Sequence, residues 1–299
     1  MKIAIGGSLG NIGKPLTQKL VGEGHEVTVI SSRAERKHEI EALGAKAAIG
    51  LVNDAEFLTN TLKGADAVFA MTPPNLGGSN VVANTVNAGR AYASAIQSSG
   101  IKRVVMLSSI GAHLPDGNGP IKAIHQIEKI YDQLDASVTY LRAGYFYINF
   151  YHDIPMIVKA GIEGSNFSAT TRMPMVDPED IALIAASELT RQGATGKQVR
   201  YVIGDIRTGA EIAKILGAAI GKPELPWIEF TDQQAIDGMA GAGVPDEIAR
   251  LYAEMGAGFR NGSIVADFVQ QGEPVVGKIT LKDFAKKFSG KFANSTLVA

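Results

Sequence analysis

Lys2-Ile3-Ala4-Ile5-Gly6-Gly7-Ser8-Leu9-Gly10-Asn11-Ile12-Gly13 decides how this chain is read, because an apolar strand runs straight into three evenly spaced glycines and then into a helix-like segment. In such a strand-turn-helix the first glycine permits the tight turn and the second lets a pyrophosphate approach the backbone, while the third lets helix pack on strand. The helix start then offers unpaired N–H groups and a positive dipole end to phosphate. Glycine makes up 34 of 299 residues, so the spacing alone arises by chance about 0.4 times in a chain of this length. Position carries the reading. A second strand, Glu26 to Ile30, follows at the distance of a βαβ unit, which predicts a dinucleotide site using Gly7, Ser8, Leu9, Gly10, Asn11, Ile12 and Gly13. The competing reading is a glycine-rich turn that binds nothing.

The second strand ends Ile30-Ser31-Ser32-Arg33, and no carboxylate occurs until Glu35. An NAD site places Asp or Glu here for the ribose 2′-hydroxyl, whereas a 2′-phosphate calls for Arg and small hydroxyl donors. Ser32 and Arg33 therefore predict NADP(H) over NAD(H). Arg33 as a solvated residue at a helix start is the plainer alternative.

Composition narrows the class. At 45% hydrophobic the chain can bury a large core, in one large or two modest domains. With 29 basic and 30 acidic residues interspersed and a net charge of −1, no basic field for nucleic acid is expected. The absence of cysteine excludes disulfides, thiolate nucleophiles and Cys-type zinc sites. His25, His38, His113, His125 and His152 show no metal-ligand spacing, so no metal is expected. A strand from residue 2 and no apolar run of spanning length predict neither signal peptide nor membrane span, with a cytoplasmic protein as the default.

Short apolar strands, near 2–6, 26–31, 45–49, 66–71, 102–108 and 137–141, alternate with helix-length segments near 11–23, 33–43, 54–62, 78–98 and 120–135. That pattern predicts an α/β fold, a doubly wound parallel sheet with its ligand at the carboxyl ends of the strands. Residues 1–150 form the dinucleotide domain on this reading, with 172–205 returning to it. Residues 151–171 and 206–299 form a smaller, mostly helical C-terminal lobe for substrate. Gly238-Met-Ala-Gly-Ala-Gly243 reads as a flexible loop, because no strand precedes it. Met71, Thr72 and Pro73 end strand four, where two prolines force the chain out of the sheet and beside the cofactor ribose.

The chemistry is less defined. None of the eight tyrosines has lysine four residues on, so the Tyr-x-x-x-Lys acid of short-chain dehydrogenases and reductases is absent. His125 and Lys129, one turn apart on the helix after strand five, are the nearest equivalents: a proton donor near neutrality and a cation to hold a ribose hydroxyl. They also lie opposite the stripe Ile121, Ile124, Ile127, Tyr131 and Leu134, where solvated residues belong. Ser108 and Ser109 end strand five, within reach of substrate or serving only a turn. Tyr145, Phe146 and Tyr147 offer rings for a nicotinamide or quinone, or simply core. Asn149 offers a donor to a substrate carbonyl, or a turn cap.

Taken together these residues resemble the NmrA-like branch of the atypical short-chain dehydrogenases and reductases. The likeness is carried by the glycine turn, Gly64-Ala-Asp-Ala-Val-Phe69, Arg103-Val-Val-Met-Leu-Ser-Ser109, His125-x-x-Glu128, Leu141-Arg-Ala-Gly-Tyr-Phe146 with Asn149, and Met175-Val-Asp-Pro-Glu-Asp180. Leu216–Lys222 and Ala242–Pro245 continue it into the C-terminal lobe. The resemblance implies an NADP(H)-preferring Rossmann domain with a small helical lobe, and either a reductase of quinones or small carbonyls or a silent dinucleotide sensor that docks a protein partner. Whether the chain is a homodimer stays open. Family members often carry Gly-Asp-Leu after strand three for the adenine amino group, but here the chain reads Gly50-Leu51-Val52-Asn53-Asp54. Asn53 or a backbone group is expected to take that contact, and Asp54 to cap the next helix.

Overall fold

The computed structural model describes residues 1–72 and 79–296. The chain divides into two compact units, the first made of Met1–Ser109, Ala123–Arg142 and Ile181–Arg200, the second of Ile110–Lys122, Ala143–Asp180 and Tyr201–Ala299. Residues 110–122, 143–150, 172–180 and 201–205, grouped with the dinucleotide domain from sequence, fall in the second unit.

The first unit follows the expected alternation: β1 (Lys2–Ile5), α1 (Gly13–Gly22), β2 (Glu26–Ser31), α2 (Lys37–Ala42), β3 (Lys46–Ile49), α3 (Ala55–Leu62), β4 (Ala67–Ala70), α4 (Val81–Ser99), β5 (Arg103–Ser109), α5 (Ile121–Tyr131) and β6 (Ser137–Ala143). The chain continues through β7 (Tyr145–Phe146), α6 (Ile154–Ala160), β8 (Glu163–Ser165), β9 (Arg172–Val176), α7 (Pro178–Thr190) and β10 (Lys197–Val202). Among the described residues the main sheet has seven strands in the order β10-β6-β5-β4-β1-β2-β3, with β1–β2, β1–β4, β2–β3 and β4–β5 parallel. Strand order reverses between β1 and β4, and the crevice outside their carboxyl ends is where such sheets bind ligands. All four residues of β4, Ala-Val-Phe-Ala, are buried, as expected of a strand covered on both faces. Helices supply the cover through apolar stripes: Leu16 and Leu20 of α1 are buried, and so are Ile121, Ile127 and Tyr131 of α5.

The second unit is completed by β11 (Asp205–Thr208), α8 (Gly209–Ala219), β12 (Trp227–Glu229), α9 (Asp232–Gly241), α10 (Asp246–Arg260), α11 (Ala266–Gln270) and α12 (Leu281–Thr296). It holds a three-stranded sheet, β11-β9-β7, and a β12-β8 pair. Helices α8 and α9 each begin with a reciprocal cap, Thr208 with Glu211 and Thr231 with Gln234. The second of these corrects the sequence reading of Gly238–Gly243 as a flexible loop: Gly238 to Gly241 are the last turn of α9, and Gly243 follows with φ +85°. Glycine is costly inside a helix by only about 1 kcal/mol, which a capping box offsets. Among the described residues, no helix is long and apolar enough to cross a membrane.

Candidate dinucleotide site

The glycine turn is built as a cradle. Gly7 (φ +92°) and Ser8 (φ +54°) both adopt left-handed conformations that reverse the chain within two residues. The Gly6 N–H donates to the Phe69 carbonyl of β4 at 2.9 Å and the Ser8 N–H to the Ile30 carbonyl of β2 at 3.0 Å, tying the turn to both neighbours of β1. Leu9 and Ile12 are buried, leaving Gly10 and Asn11 exposed at the tip. No side chain caps α1, whose preceding residue is Ile12. Of its first four residues, Lys14 and Leu16 donate to the Gly10 and Ile12 carbonyls at 3.0 Å and Pro15 has no N–H, so what α1 offers an anion is chiefly the positive end of its dipole.

The glycines differ in what a side chain would meet. A Cβ on Gly13 would overlap the Ser8 carbonyl oxygen, and one on Gly7 would overlap the Cε of Met71 at the end of β4. One on Gly10 meets only the Gly7 carbonyl, at 3.2 Å. Gly13 is therefore demanded by the backbone against it and Gly7 by its left-handed φ, whereas a Cβ on Gly10 would need the Gly7 carbonyl to give by only a few tenths of an ångström. Gly6 lies outside the three-glycine spacing but is also required, because the buried Tyr92 hydroxyl occupies the place of its Cβ.

At the end of β2, Ser31 is a small hub. Its hydroxyl accepts from Ser8 Oγ at 2.9 Å and from the Arg33 N–H at 3.2 Å, which fixes the chain direction so that Ser32 and Arg33 are exposed beside the turn. Among the described residues Arg33 has no acidic partner, whereas Arg36 and Lys14 both bind Glu39, at 2.5 and 3.2 Å, and Lys37 pairs with Glu41. Met71 and Thr72 are half-buried at the end of β4, and Pro73 lies outside the described residues. Leu51 is 58% exposed and Asn53 is exposed as well. Asp54 caps α3 as expected, accepting the Phe57 N–H at 3.0 Å.

The end of β5 holds a network that sequence did not suggest. Ser108 is buried, and its hydroxyl donates to Glu128 of α5 at 2.5 Å; Arg142 of β6 grips the same carboxylate through Nε at 3.1 Å and Nη2 at 2.7 Å. Ser108 is thus neither an open turn hydroxyl nor a free donor. His125 and Lys129 line a groove of about 710 Å³ between α4 and α5, together with Arg90, Ser94, Gln97 and Gln133. Lys129 pairs with Asp132 at 3.5 Å and is largely exposed, and a rise of about 1.5 Å per residue sets it roughly 12 Å along the helix from its start. In the second unit the aromatic run divides. Tyr147 is core, its ring 5.5 Å from Phe284 and its hydroxyl donating to the Ile279 carbonyl at 3.0 Å. Tyr145 and Phe146 on β7 stay half-buried.

Residues 7–147 match the family described as NAD(P)H-binding. This segment is an NAD(P)H-binding domain. The chain is 28% identical over 261 residues to the NAD(P)H azoreductase of Xenophilus azovorans, covering 85% of this chain and 86% of that protein. Two solved structures share the fold throughout. The NADPH-dependent quinone oxidoreductase of Escherichia coli complexed with NADPH aligns with a TM-score of 0.80 at 20% identity, over 95% of this chain and 99% of that one. The Citrobacter sp. triphenylmethane reductase complexed with NADP(H) gives 0.79 at 19%, over 96% and 99%.

The cradle of the NAD(P)H-binding domain gives a direct test. Gly10→Ala is expected to leave the melting temperature nearly unchanged while weakening NAD(P)H binding by roughly tenfold or more, since the new methyl stands where pyrophosphate meets backbone. Gly13→Ala is expected to lower both affinity and stability, the latter by about 1–3 kcal/mol, because the Ser8 carbonyl must move. Scanning calorimetry and titration calorimetry on the two variants check this; equal effects at both positions would make Gly10 structural.

Proposed function

We propose that the chain is an NADPH-dependent oxidoreductase that reduces a quinone or a comparably electron-poor acceptor. The observation that carries the cofactor choice is the end of β2, where Ser32 and Arg33, the latter without an acidic partner among the described residues, stand exposed beside the phosphate turn. Likeness to an azoreductase along most of both chains supports the reaction class, since azo and quinone groups both accept a hydride readily.

When bound, the reduced cofactor supplies the hydride. The chain's own residues bind and orient: the amides of the glycine turn and the N-terminus of α1 would hold the pyrophosphate, and Ser32 and Arg33 the 2′-phosphate. The site lacks Tyr-x-x-x-Lys, and the Ser108 proton is donated into Glu128. A quinone suits such a site. Its reduction yields a stabilised anion that needs little acid assistance, whereas an ordinary ketone yields an alkoxide that needs much.

Stopped-flow oxidation of bound NADPH by a panel of quinones, azo compounds and simple aldehydes tests the reading, and aldehydes reduced faster than quinones would overturn it. His125, in the α4–α5 groove, is assigned at most a supporting share in proton supply. His125→Gln is expected to slow quinone reduction by roughly tenfold or less. Steady-state rates with the wild type and the variant measure this; a much larger loss would make His125 the obligatory acid.

A further inference from the structure

The glycine turn is backed by a thioether. Met71 follows β4, and its side chain runs across the face of Gly7: a Cβ on that glycine would lie 2.1 Å from the Met71 Cε and 3.1 Å from its Sδ, with the Met71 Cβ next at 3.9 Å. The thioether thus takes the volume that a side chain at Gly7 would use. It does so where the backbone is least ordinary, since Gly7 and Ser8 hold φ of +92° and +54° in succession. Two residues before Met71, the Phe69 carbonyl accepts the Gly6 N–H at 2.9 Å, so the strand that carries the methionine is also tied to the turn through its backbone.

Met71 is also open to oxidation. The chain has no cysteine, which leaves methionine as its oxidisable sulfur. The first unit carries three methionines: Met106 is 2% exposed and shut in the core, Met1 is 41% exposed at the start of β1, and Met71 is half-buried. Of these three, Met71 alone is both in reach of solvent and packed on the phosphate turn. Oxidation converts a flexible apolar side chain into a polar, chiral one. An oxygen on Sδ calls for a hydrogen-bond donor, and the contact with Gly7 offers it a Cα instead. The side chain must then swing off the turn, or the turn must shift.

We propose that Met71 is a reversible peroxide-oxidation site, whose sulfoxide disrupts the packing behind Gly7 and so weakens dinucleotide binding, and whose reduction restores it. The inference rests on the NAD(P)H-binding domain and is independent of which acceptor is reduced. In the balanced step the thioether sulfur takes one oxygen from hydrogen peroxide. The O–O bond breaks as the S–O bond forms, the sulfur gives up two electrons, and the peroxide leaves as one water. In the return step a dithiol supplies two electrons and becomes a disulfide, while the sulfoxide oxygen leaves as water.

The test uses the full chain, hydrogen peroxide as the oxidant and NADPH as the probe. After peroxide, peptide mass spectrometry is expected to find one added oxygen on Met71, and titration calorimetry to find NADPH bound roughly tenfold more weakly. Treatment with the two methionine sulfoxide reductases, one for each sulfoxide epimer, is expected to restore the starting affinity. Met71→Leu is expected to show the same affinity before and after peroxide, whatever that affinity is. Met71→Gln puts a permanent oxygen near the same point of an unbranched chain, which gives a second arm should leucine not be tolerated. It is expected to bind NADPH roughly tenfold more weakly than the wild type before any peroxide and to lose nothing further with it. Circular dichroism separates this loss from unfolding. Three results overturn the proposal: Met71 carrying the oxygen with NADPH affinity unchanged, a peroxide loss in Met71→Leu equal to that of the wild type, or Met71 left intact while Met1 is oxidised. A loss that appears only with unfolding overturns it as well.

Discussion

Glu128→Ala is expected to destabilise the first unit by about 3–5 kcal/mol, the cost typical of removing one partner from a buried ion pair. The carboxylate accepts two bonds from Arg142 and one from Ser108, and all three residues are buried. Alanine would take from the Arg142 guanidinium the buried carboxylate that accepts two of its hydrogen bonds, and from the Ser108 hydroxyl its acceptor. Glu128→Gln keeps one acceptor oxygen and nearly the same shape, so its loss is expected to be smaller, about 1–3 kcal/mol. Guanidinium denaturation followed by circular dichroism measures both, and an alanine variant within about 1 kcal/mol of wild type would show that Arg142 finds another partner. The network bears on function because it pins the carboxyl end of β5 to α5 and β6. A loosened β5 is expected to weaken NAD(P)H binding in the alanine variant before the fold is lost.

The same network shows where the sequence stopped being legible. The α/β alternation, the glycine turn and the Asp54 cap were all visible, because each follows from local spacing: an apolar quartet, a glycine every third residue, an Asx before a helix. Glu128 stood in the quoted His125-x-x-Glu128 pattern, but its role did not show. Four residues beyond Ile124, it stands at the edge of the apolar stripe of α5, but nothing near it in sequence announces Arg142, which β6 brings alongside. His125 and Lys129 drew attention by residue type, yet they face a groove with solvent-side partners. Gly238–Gly243 misled in the opposite direction: glycine content suggested a loop, while the decisive signal was the Thr231–Gln234 cap seven residues upstream of it.

Arg33→Ala is expected to erase most of the preference for NADPH over NADH. Four cations lie near the end of β2, and of these Lys14, Arg36 and Lys37 are engaged by Glu39 and Glu41. Glu39 is held below the usual carboxylate range chiefly by its hydrogen bond from Arg36 and then by Lys14, so it stays ionised and keeps both cations engaged. Arg33 remains to meet a 2′-phosphate, with the chain direction set by the Ser31 hydroxyl. A charge-assisted hydrogen bond contributes about 1.5–3 kcal/mol, equivalent to roughly tenfold to a hundredfold in affinity. Because Arg33 is exposed, solvent and salt screen the contact, which favours the lower end of that range at physiological ionic strength and a larger effect in dilute buffer. NADH has no 2′-phosphate, so its affinity is expected to be unchanged by the substitution. Titration calorimetry of both cofactors against wild type and variant at two salt concentrations separates the outcomes. Equal affinities for the two cofactors in the wild type would remove the basis for the assignment, and an equal loss for both in the variant would place Arg33 on the pyrophosphate instead of the 2′-phosphate.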